Sequence, residues 1–157
     1  MDAITHPPIP TNEPVRSYLP GSTQASALAD TIEALASRPA DLTMTIGGVA
    51  RMAGGARIPV VAPHQHQLLL GETGQATVHD VDAAVGAALA AAPDWRDMSF
   101  DQRAAVFLRA ADLLSTSWRD RLNAATMLGQ SKSVQQAEID AACELADFLR
   151  FNVHFAR

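Results

Sequence analysis

The closing stretch of the chain constrains the fold most strongly, because its residue pattern suits only a long helix with two apolar sides. Ser133 and Gln136 have the spacing of a capping box, which begins a helix. Gly129, just before them, can take the left-handed conformation that ends the preceding helix. Apolar residues then follow two adjacent stripes at helical spacing, the first with Val134, Ala137, Ala141, Leu145, Phe148 and Phe155, the second with Ile139, Ala142, Ala146, Leu149, Val153 and Ala156. Such a helix needs protein on more than one side.

The same helix carries acidic residues along one line, at Asp140, Glu144 and Asp147. Like charges at this spacing destabilise a helix by roughly a few tenths of a kcal/mol, so the line does not serve helix stability. One interpretation is a solvated acidic edge, with Asp147 partly neutralised by Arg150. The other is that Glu144, set among Cys143 and apolar neighbours, lines a polar pocket. The spacing alone leaves both open.

Composition limits the class of protein. A chain of 157 residues can form one domain with a sizeable core. The net charge of -5 gives no basic surface for nucleic acid. The single cysteine excludes an internal disulfide and suits a reducing compartment. The first residues show no secretory signal pattern, and no apolar run is long enough to span a membrane. We therefore expect a cytoplasmic protein with no nucleic-acid or membrane partner.

The first half of the chain predicts an arm, a helix and a small sheet. Residues 1–21 hold closely spaced prolines, which predict an extended arm that lies on a neighbour or is loose. Ser22 to Arg38 has helical apolar spacing and ends before a proline. Short apolar runs between Leu42 and Gly74 predict strands in a meander or hairpin. Gly54-Gly55 suits the turn between the first two runs, and Pro59 places its strand at an edge.

The second half predicts four helices. Capping boxes mark the starts of the first two, at Thr77 with Asp80 and at Ser99 with Gln102. Pro93 is expected to end the first helix. The third helix begins at Thr116 or Ser117 and ends at Gly129, and the fourth is the closing helix. The predicted fold class is therefore α+β and mostly α: an N-terminal arm and helix, a small β-meander and four helices.

Several residues that could carry chemistry favour structural roles. His64, His66 and His79 do not have the cysteine and acidic residues at the spacing that would complete a tetrahedral metal site, so we expect surface histidines. Cys143 lies mid-helix beside Glu144, whose charge disfavours the thiolate, so we expect a small core residue. The glycine pairs do not form a dinucleotide-binding or phosphate-binding motif. No catalytic, cofactor-binding or metal-binding residue is therefore predicted.

Three stretches resemble one family in the same order along the chain. They are NEPV at 12–15, RAAVFLRAADLLS at 103–115, and ATMLGQSKSVQQAEIDAACELADFLRFN at 125–152. They are similar to the N-terminal region of the aldehyde dehydrogenase superfamily. More narrowly, they resemble its L-glutamate γ-semialdehyde dehydrogenases, also called 1-pyrroline-5-carboxylate dehydrogenases, of proline catabolism. The resemblance covers nearly the whole chain.

The resemblance implies part of an α/β enzyme that oxidises a small aldehyde, L-glutamate γ-semialdehyde, to L-glutamate with NAD. In that family, the glutamate matching Glu144 faces the mouth of the aldehyde site, so Glu144 is the predicted substrate-binding residue. The nucleophilic cysteine, the general base and the main NAD-binding elements lie beyond the matched part. We therefore expect residues 22–157 to be an incomplete N-terminal portion of the domain, inactive alone, within a homo-oligomeric parent. The alternative is a complete helical module that docks on a partner protein.

Overall fold

The computed structural model describes residues 7–157, arranged as an arm, two small sheets and a helical bundle. Residues 7–21 form the arm, which has no regular secondary structure before a turn at its end. The helices in chain order are α1 Thr23–Ser37, α2 Val78–Asp97, α3 Phe100–Ser115, α4 Arg119–Gln130, α5 Val134–Ala137 and α6 Glu144–Phe155, with a π-helical segment at Glu138–Cys143. The predicted fold class, mostly α with a small β part, is confirmed.

The β part contains five short strands in two sheets: β1 Ala40–Leu42, β2 Met44–Ile46, β3 Val49–Arg51, β4 Arg57–Ala62 and β5 Gln65–Gly74. The first sheet has the order β1-β5-β4, with β4 antiparallel and β1 parallel to β5. The second sheet is the hairpin of β2 and β3. The predicted strand runs are therefore present, but the parallel β1–β5 pair makes the first sheet more than a simple meander. Pro59 lies on edge strand β4, as predicted.

Two glycine pairs in the β part have different structural roles, and the sequence pointed to one of them, Gly54-Gly55, as the turn between the first two runs. Gly47 and Gly48 make the β2–β3 turn and have the positive φ angles, 58° and 80°. Gly54 and Gly55 join β3 to β4, so they do lie between the first two predicted runs. They do not have positive φ angles, so the predicted turn conformation was wrong. Gly55 is required for a different reason, because a Cβ there would lie 2.7 Å from the carbonyl oxygen of Gln75.

Local capping chemistry determines where most helices begin. Reciprocal capping boxes are present at Thr77 with Asp80, Ser99 with Gln102, and Ser133 with Gln136, which confirms all three predictions. Helix α1 is capped by the Ser22 side chain. Helix α4 is different: Trp118 is its N-cap and makes no side-chain capping bond, so the start predicted at Thr116 or Ser117 was early.

Two predicted helix ends were wrong. Helix α2 continues through Pro93 to Asp97. Proline removes only its own bond to the carbonyl of Leu89, and both residues are exposed, so water can take the place of that bond. Helix α4 continues past Gly129 to Gln130, and Ser131 takes the left-handed conformation with φ of 57°.

The closing helix is one continuous rod whose phase changes at the π-helical segment Glu138–Cys143. A π-helical turn contains an extra residue, which rotates the following side chains around the axis. Mainly the second predicted stripe therefore faces the bundle, with Ala142, Ala146 and Val153 buried. The first stripe is buried at Ala137, but farther along the helix it faces away from the bundle, so that Phe148 is 58% and Phe155 75% exposed. The expectation that both stripes are covered does not hold within this chain.

Within the part of the chain that the structure describes, no helix is both long and apolar enough to cross a lipid bilayer.

Candidate functional site

Glu144 lies at the first residue of α6 and is exposed. It lines a shallow depression of about 360 Å³ on the outer side of the closing helix. The walls of this Glu144 depression come from the arm and from successive turns of α6: Asn12, Asp147, Phe148, Phe151, Asn152 and Phe155. One of the two interpretations of the sequence, which the family resemblance favoured, was a polar pocket lined by Glu144. The depression instead combines two carboxylates and two amide side chains with three aromatic rings.

Asp147, one helical turn beyond Glu144, is held by the arm. The side-chain amide of Asn12 donates to Oδ2 of Asp147 at 2.7 Å. The backbone N–H of Glu13 donates to Oδ1 of Asp147 at 2.7 Å. Arg150, which the sequence paired with Asp147, instead binds Glu13 at 2.7 Å. Among residues 7–157, no hydrogen-bond or ion-pair partner approaches the Glu144 carboxylate.

The third acidic residue of the line, Asp140, is separate from the depression. It forms a partly exposed ion pair of 2.6 Å with Lys132, which lies before the closing helix. The three acidic residues therefore have three different environments: Asp140 with a lysine, Asp147 with the arm, and Glu144 open to solvent. A solvated edge describes Asp140, whereas Glu144 and Asp147 both belong to the depression.

The arm is fastened by a buried charge cluster, which we define as Glu13, Tyr18, Arg119, Asn123 and Glu138. Arg119 is 2% exposed and Glu138 is 0% exposed. The Arg119 guanidinium binds both Glu13 and Glu138. Asn123 donates to Oε2 of Glu138 at 2.7 Å, and the Tyr18 hydroxyl donates to the same oxygen at 2.9 Å. The cluster joins the arm, α4 and the π-helical segment.

The charges of the cluster stabilise one another. Burial alone would raise the pKa of Glu138, but hydrogen bonds from Arg119, the Arg16 amide, Asn123 and Tyr18 lower it to about 2. Burial would lower the pKa of Arg119, but bonds to Glu138 and Glu13 raise it further above its usual value. Burial, followed by the hydrogen bond to Glu138, raises the pKa of Tyr18. Glu138 and Arg119 therefore stay charged.

Cys143 lies at the edge of this cluster and has no nucleophilic character. It is buried, as the sequence predicted for a core residue. Burial, followed by the negative charge of Glu138, raises the pKa of its thiol to about 11, although the positive charge of Arg119 acts in the opposite direction. A neutral thiol at physiological pH is a poor nucleophile.

The histidines singled out in the sequence lie away from Glu144. His64 lies in the turn between β4 and β5, where its Nδ1 atom is 2.9 Å from the Ser131 hydroxyl, and His66 is the second residue of β5. His79 is exposed in the first turn of α2. In the described residues, no three histidine, cysteine or acidic side chains form a possible metal-binding group.

Sequence reasoning missed the buried charge cluster and the part that Asn12 and Asp147 play beside Glu144. Two buried members of the cluster, Arg119 and Asn123, come from helix α4. Its buried residues are Arg119, Asn123, Ala124 and Leu128, while Trp118 is 48% exposed. The available signal was the spacing of Arg119 and Asn123, which puts both on one side of a helix.

The model of the aldehyde dehydrogenase family matches residues 50–157, which is more than half of the chain. The chain belongs to the aldehyde dehydrogenase family. The resemblance noted in the sequence is therefore confirmed. It extends to the narrower group, because delta-1-pyrroline-5-carboxylate dehydrogenases are similar to this aldehyde dehydrogenase chain over almost its whole length.

Two relatives and one solved structure illustrate the likeness. The mitochondrial delta-1-pyrroline-5-carboxylate dehydrogenase of Dictyostelium discoideum is 38% identical over 150 residues, covering 96% of this chain. The Agaricus bisporus enzyme of the same name is 42% identical over 151 residues, covering 95%. The delta-pyrroline-5-carboxylate dehydrogenase of Mycobacterium tuberculosis, solved with bound NAD, is 58% identical over 99% of this chain with a TM-score of 0.95.

The match covers nearly all of this chain but only part of each related protein. This chain spans 27% of the length of the Dictyostelium and Agaricus relatives. It spans 29% of the Mycobacterium tuberculosis chain. This aldehyde dehydrogenase chain therefore corresponds to less than a third of each of these proteins.

Proposed function

We propose that the chain is the N-terminal part of an NAD-dependent dehydrogenase that oxidises L-glutamate γ-semialdehyde to L-glutamate in proline degradation. The carrying observation is the similarity to delta-1-pyrroline-5-carboxylate dehydrogenases over 95–96% of the chain. The 58% identity to a structure solved with NAD supports the same cofactor. Residues 22–157 would form an incomplete portion of the domain, with residues 1–21 as its arm. A cytoplasmic location and a homo-oligomeric parent stay predictions.

In this proposal Glu144 binds the substrate. Its carboxylate is exposed in the Glu144 depression, and no described residue neutralises it. The semialdehyde carries an ammonium group, which a carboxylate attracts. Phe148 and Phe151 in the same depression can contact the apolar methylene part of the substrate. The described residues thus suit recognition of an amino-acid aldehyde.

The chemical step requires groups outside this chain. Oxidation of an aldehyde to an acid by NAD through a thioester requires a nucleophile, a hydride acceptor and an activated water. Cys143 does not suit the first role, because it is buried and burial raises the pKa of its thiol to about 11. NAD would accept the hydride when bound by the remaining part of the parent enzyme. We therefore expect no turnover from the 157-residue chain alone.

A chimera tests the proposal. This chain would replace the matching 29% of the Mycobacterium tuberculosis dehydrogenase, to which it is 58% identical. We expect the chimera to reduce NAD with the semialdehyde and to keep its activity after Cys143→Ser. An inactive but folded chimera would contradict the proposed function. Reading the coding DNA beyond the Arg157 codon is an independent check, since we expect a continuous frame that encodes a glycine-flanked cysteine.

Within the active chimera, Glu144→Gln should weaken capture of the aldehyde. We expect the KM for the semialdehyde to rise about tenfold with little change in the KM for NAD, because the substituted group contacts only the substrate. Glu33→Gln is the matched control, since Glu33 is also an exposed helical glutamate but lies on α1. An unchanged kcat/KM for the aldehyde would remove Glu144 from the site.

The alternative function is a helical module that docks on a partner protein. The observation in its favour is the outer side of the closing helix, where Leu145 is 40% exposed, Phe148 58% and Phe155 75%. Size-exclusion chromatography and pull-down with a full-length dehydrogenase would test it. A monomer that does not bind the enzyme would contradict docking.

A further inference from the structure

Asn12 is the arm residue that reaches the Glu144 depression. It lines the depression together with Glu144 and Asp147. Its side-chain amide donates to Oδ2 of Asp147 at 2.7 Å, across 135 positions of sequence. The next residue, Glu13, donates its backbone N–H to the other oxygen of Asp147 at 2.7 Å. The arm therefore occupies both carboxylate oxygens of Asp147.

The position of Asn12 is set by the residues that follow it. Arg119, which is 2% exposed, binds the Glu13 carboxylate and also donates to the carbonyl oxygen of Pro14 at 2.6 Å. Arg150 binds the other oxygen of Glu13 at 2.7 Å. The backbone N–H of Arg16 donates to Glu138 at 2.7 Å. Successive residues of the arm are thus tied to α4, to the π-helical segment and to α6.

Two carboxylates in one depression would compete. Glu144 and Asp147 are three residues apart on one helix, so they are neighbours on its surface. Asp147 is a carboxylate with or without the arm, but without the arm both of its oxygens would be free to accept hydrogen bonds beside Glu144. Those oxygens would compete with Glu144 for the ammonium group of the substrate.

We infer that Asn12 is a positioning residue for the substrate, because it holds Asp147 against the arm and leaves Glu144 as the available carboxylate of the described depression. This inference rests on the proposed function. The substrate class is an amino-acid aldehyde, which carries both an ammonium and a carboxylate group. Asn12 acts through Asp147.

The kinetic test uses the chimera and the Asn12→Ala variant. We expect the KM for the semialdehyde to rise about fivefold while kcat and the KM for NAD change less than about twofold. Thr11→Ala is the control on the arm, because Thr11 is exposed and does not line the Glu144 depression. An unchanged KM, or a loss of kcat with unchanged KM, would overturn the inference.

Exchanging the amide and the carboxylate between positions 12 and 147 distinguishes a positioning role of Asn12 from general damage to the fold. In the double variant Asn12→Asp and Asp147→Asn, residue 147 donates to residue 12, and its carbonyl oxygen still accepts the Glu13 N–H. The depression keeps the same number of negative charges. We expect the double variant to recover the original KM. Asp147→Asn combined with Asn12→Ala should also lower the KM relative to Asn12→Ala alone, because residue 147 then has no carboxylate to compete with Glu144. Failure of the double variant Asn12→Asp and Asp147→Asn to improve on Asn12→Ala would count against the inference.

The hydrogen-exchange rate of the Glu13 backbone amide gives a test that does not depend on the chimera being active. In the 157-residue chain, Asn12→Ala should increase the hydrogen-exchange rate of the Glu13 amide, which is bonded to Asp147. The amide of Arg16, bonded to the buried Glu138, should keep its rate. An inactive chimera with this selective increase would contradict the proposed function but support the hold on Asp147. An unchanged Glu13 rate would contradict the hold itself.

Discussion

The two sides of the closing helix invert the usual distribution of polar and apolar residues. On the inner side, at the arm, the helix buries Glu138 at 0% exposure. On the outer side it leaves Phe148 58% and Phe155 75% exposed. The inner charge is matched by Arg119, Asn123, Tyr18 and the Arg16 amide, so every partner it needs lies within this chain. The aromatic rings outside lack such cover. The inner side is therefore specified by this chain, and we expect the rest of the parent enzyme to cover the outer side.

The largest expected effect is on the inner side. Glu138→Gln removes the charge that neutralises the buried Arg119, and breaking one side of a buried ion pair costs about 3–5 kcal/mol. The free energy of unfolding of the 157-residue chain, measured by urea denaturation followed by circular dichroism, should fall by that amount. Glu33→Gln is the control, and an exposed substitution of this kind should change stability by less than about 0.5 kcal/mol. A similarly small change in the free energy of unfolding for both variants would show that the charge of Glu138 does not stabilise the inner side.

Acid should weaken the inner side. The pKa of Glu138 falls from 4.5 to about 2 on folding, mainly because hydrogen bonds from Arg119 and the Arg16 amide outweigh burial. Its contribution is therefore fully present above pH 4.5 and is lost as the pH falls toward about 2. By linkage the loss is on the order of 3 kcal/mol.

Urea denaturation at a series of pH values measures this loss. The acid dependence should be smaller in Glu138→Gln, but it should not vanish, because hydrogen bonds from the Thr77 and Gly54 amides also lower the pKa of Asp80 to about 2. If Glu138→Gln has the same acid dependence as the unsubstituted chain, the charge of Glu138 does not stabilise the inner side.

Local features of the fold could be predicted from the sequence. The three capping boxes depend on residues three positions apart, so a short window contains all of their chemistry. Pro59 marks an edge strand for an equally local reason, since it lacks an amide donor. Gly129 was misjudged because glycine permits the left-handed conformation without requiring it, and Ser131 takes that conformation instead.

The inner side could not be predicted because its partners are far apart in sequence. Arg119 and Asn123 are polar, so periodicity places them toward solvent. Their burial depends on Glu138 and on Glu13, which is 106 positions from Arg119. The π-helical turn at Glu138–Cys143 adds a second obstacle, since it changes the phase of the apolar stripes within a helix. Glu144 was reached only through the family resemblance, and Asn12 was not singled out.

The smallest effect is expected on the outer side, and two residues of α6 allow a direct comparison. Val153 is 6% exposed toward the bundle, whereas Phe155, two positions later, is 75% exposed. Val153→Ala should lower the free energy of unfolding by roughly 1–2 kcal/mol, because it leaves a cavity in the bundle. Phe155→Ala removes a larger side chain but should change stability by less than about 0.5 kcal/mol, because that ring is already in water. Urea denaturation of both variants measures the contrast. A cost for Phe155→Ala equal to that of Val153→Ala would mean that the 157-residue chain already covers its outer side in solution. The comparison between the two sides would then fail.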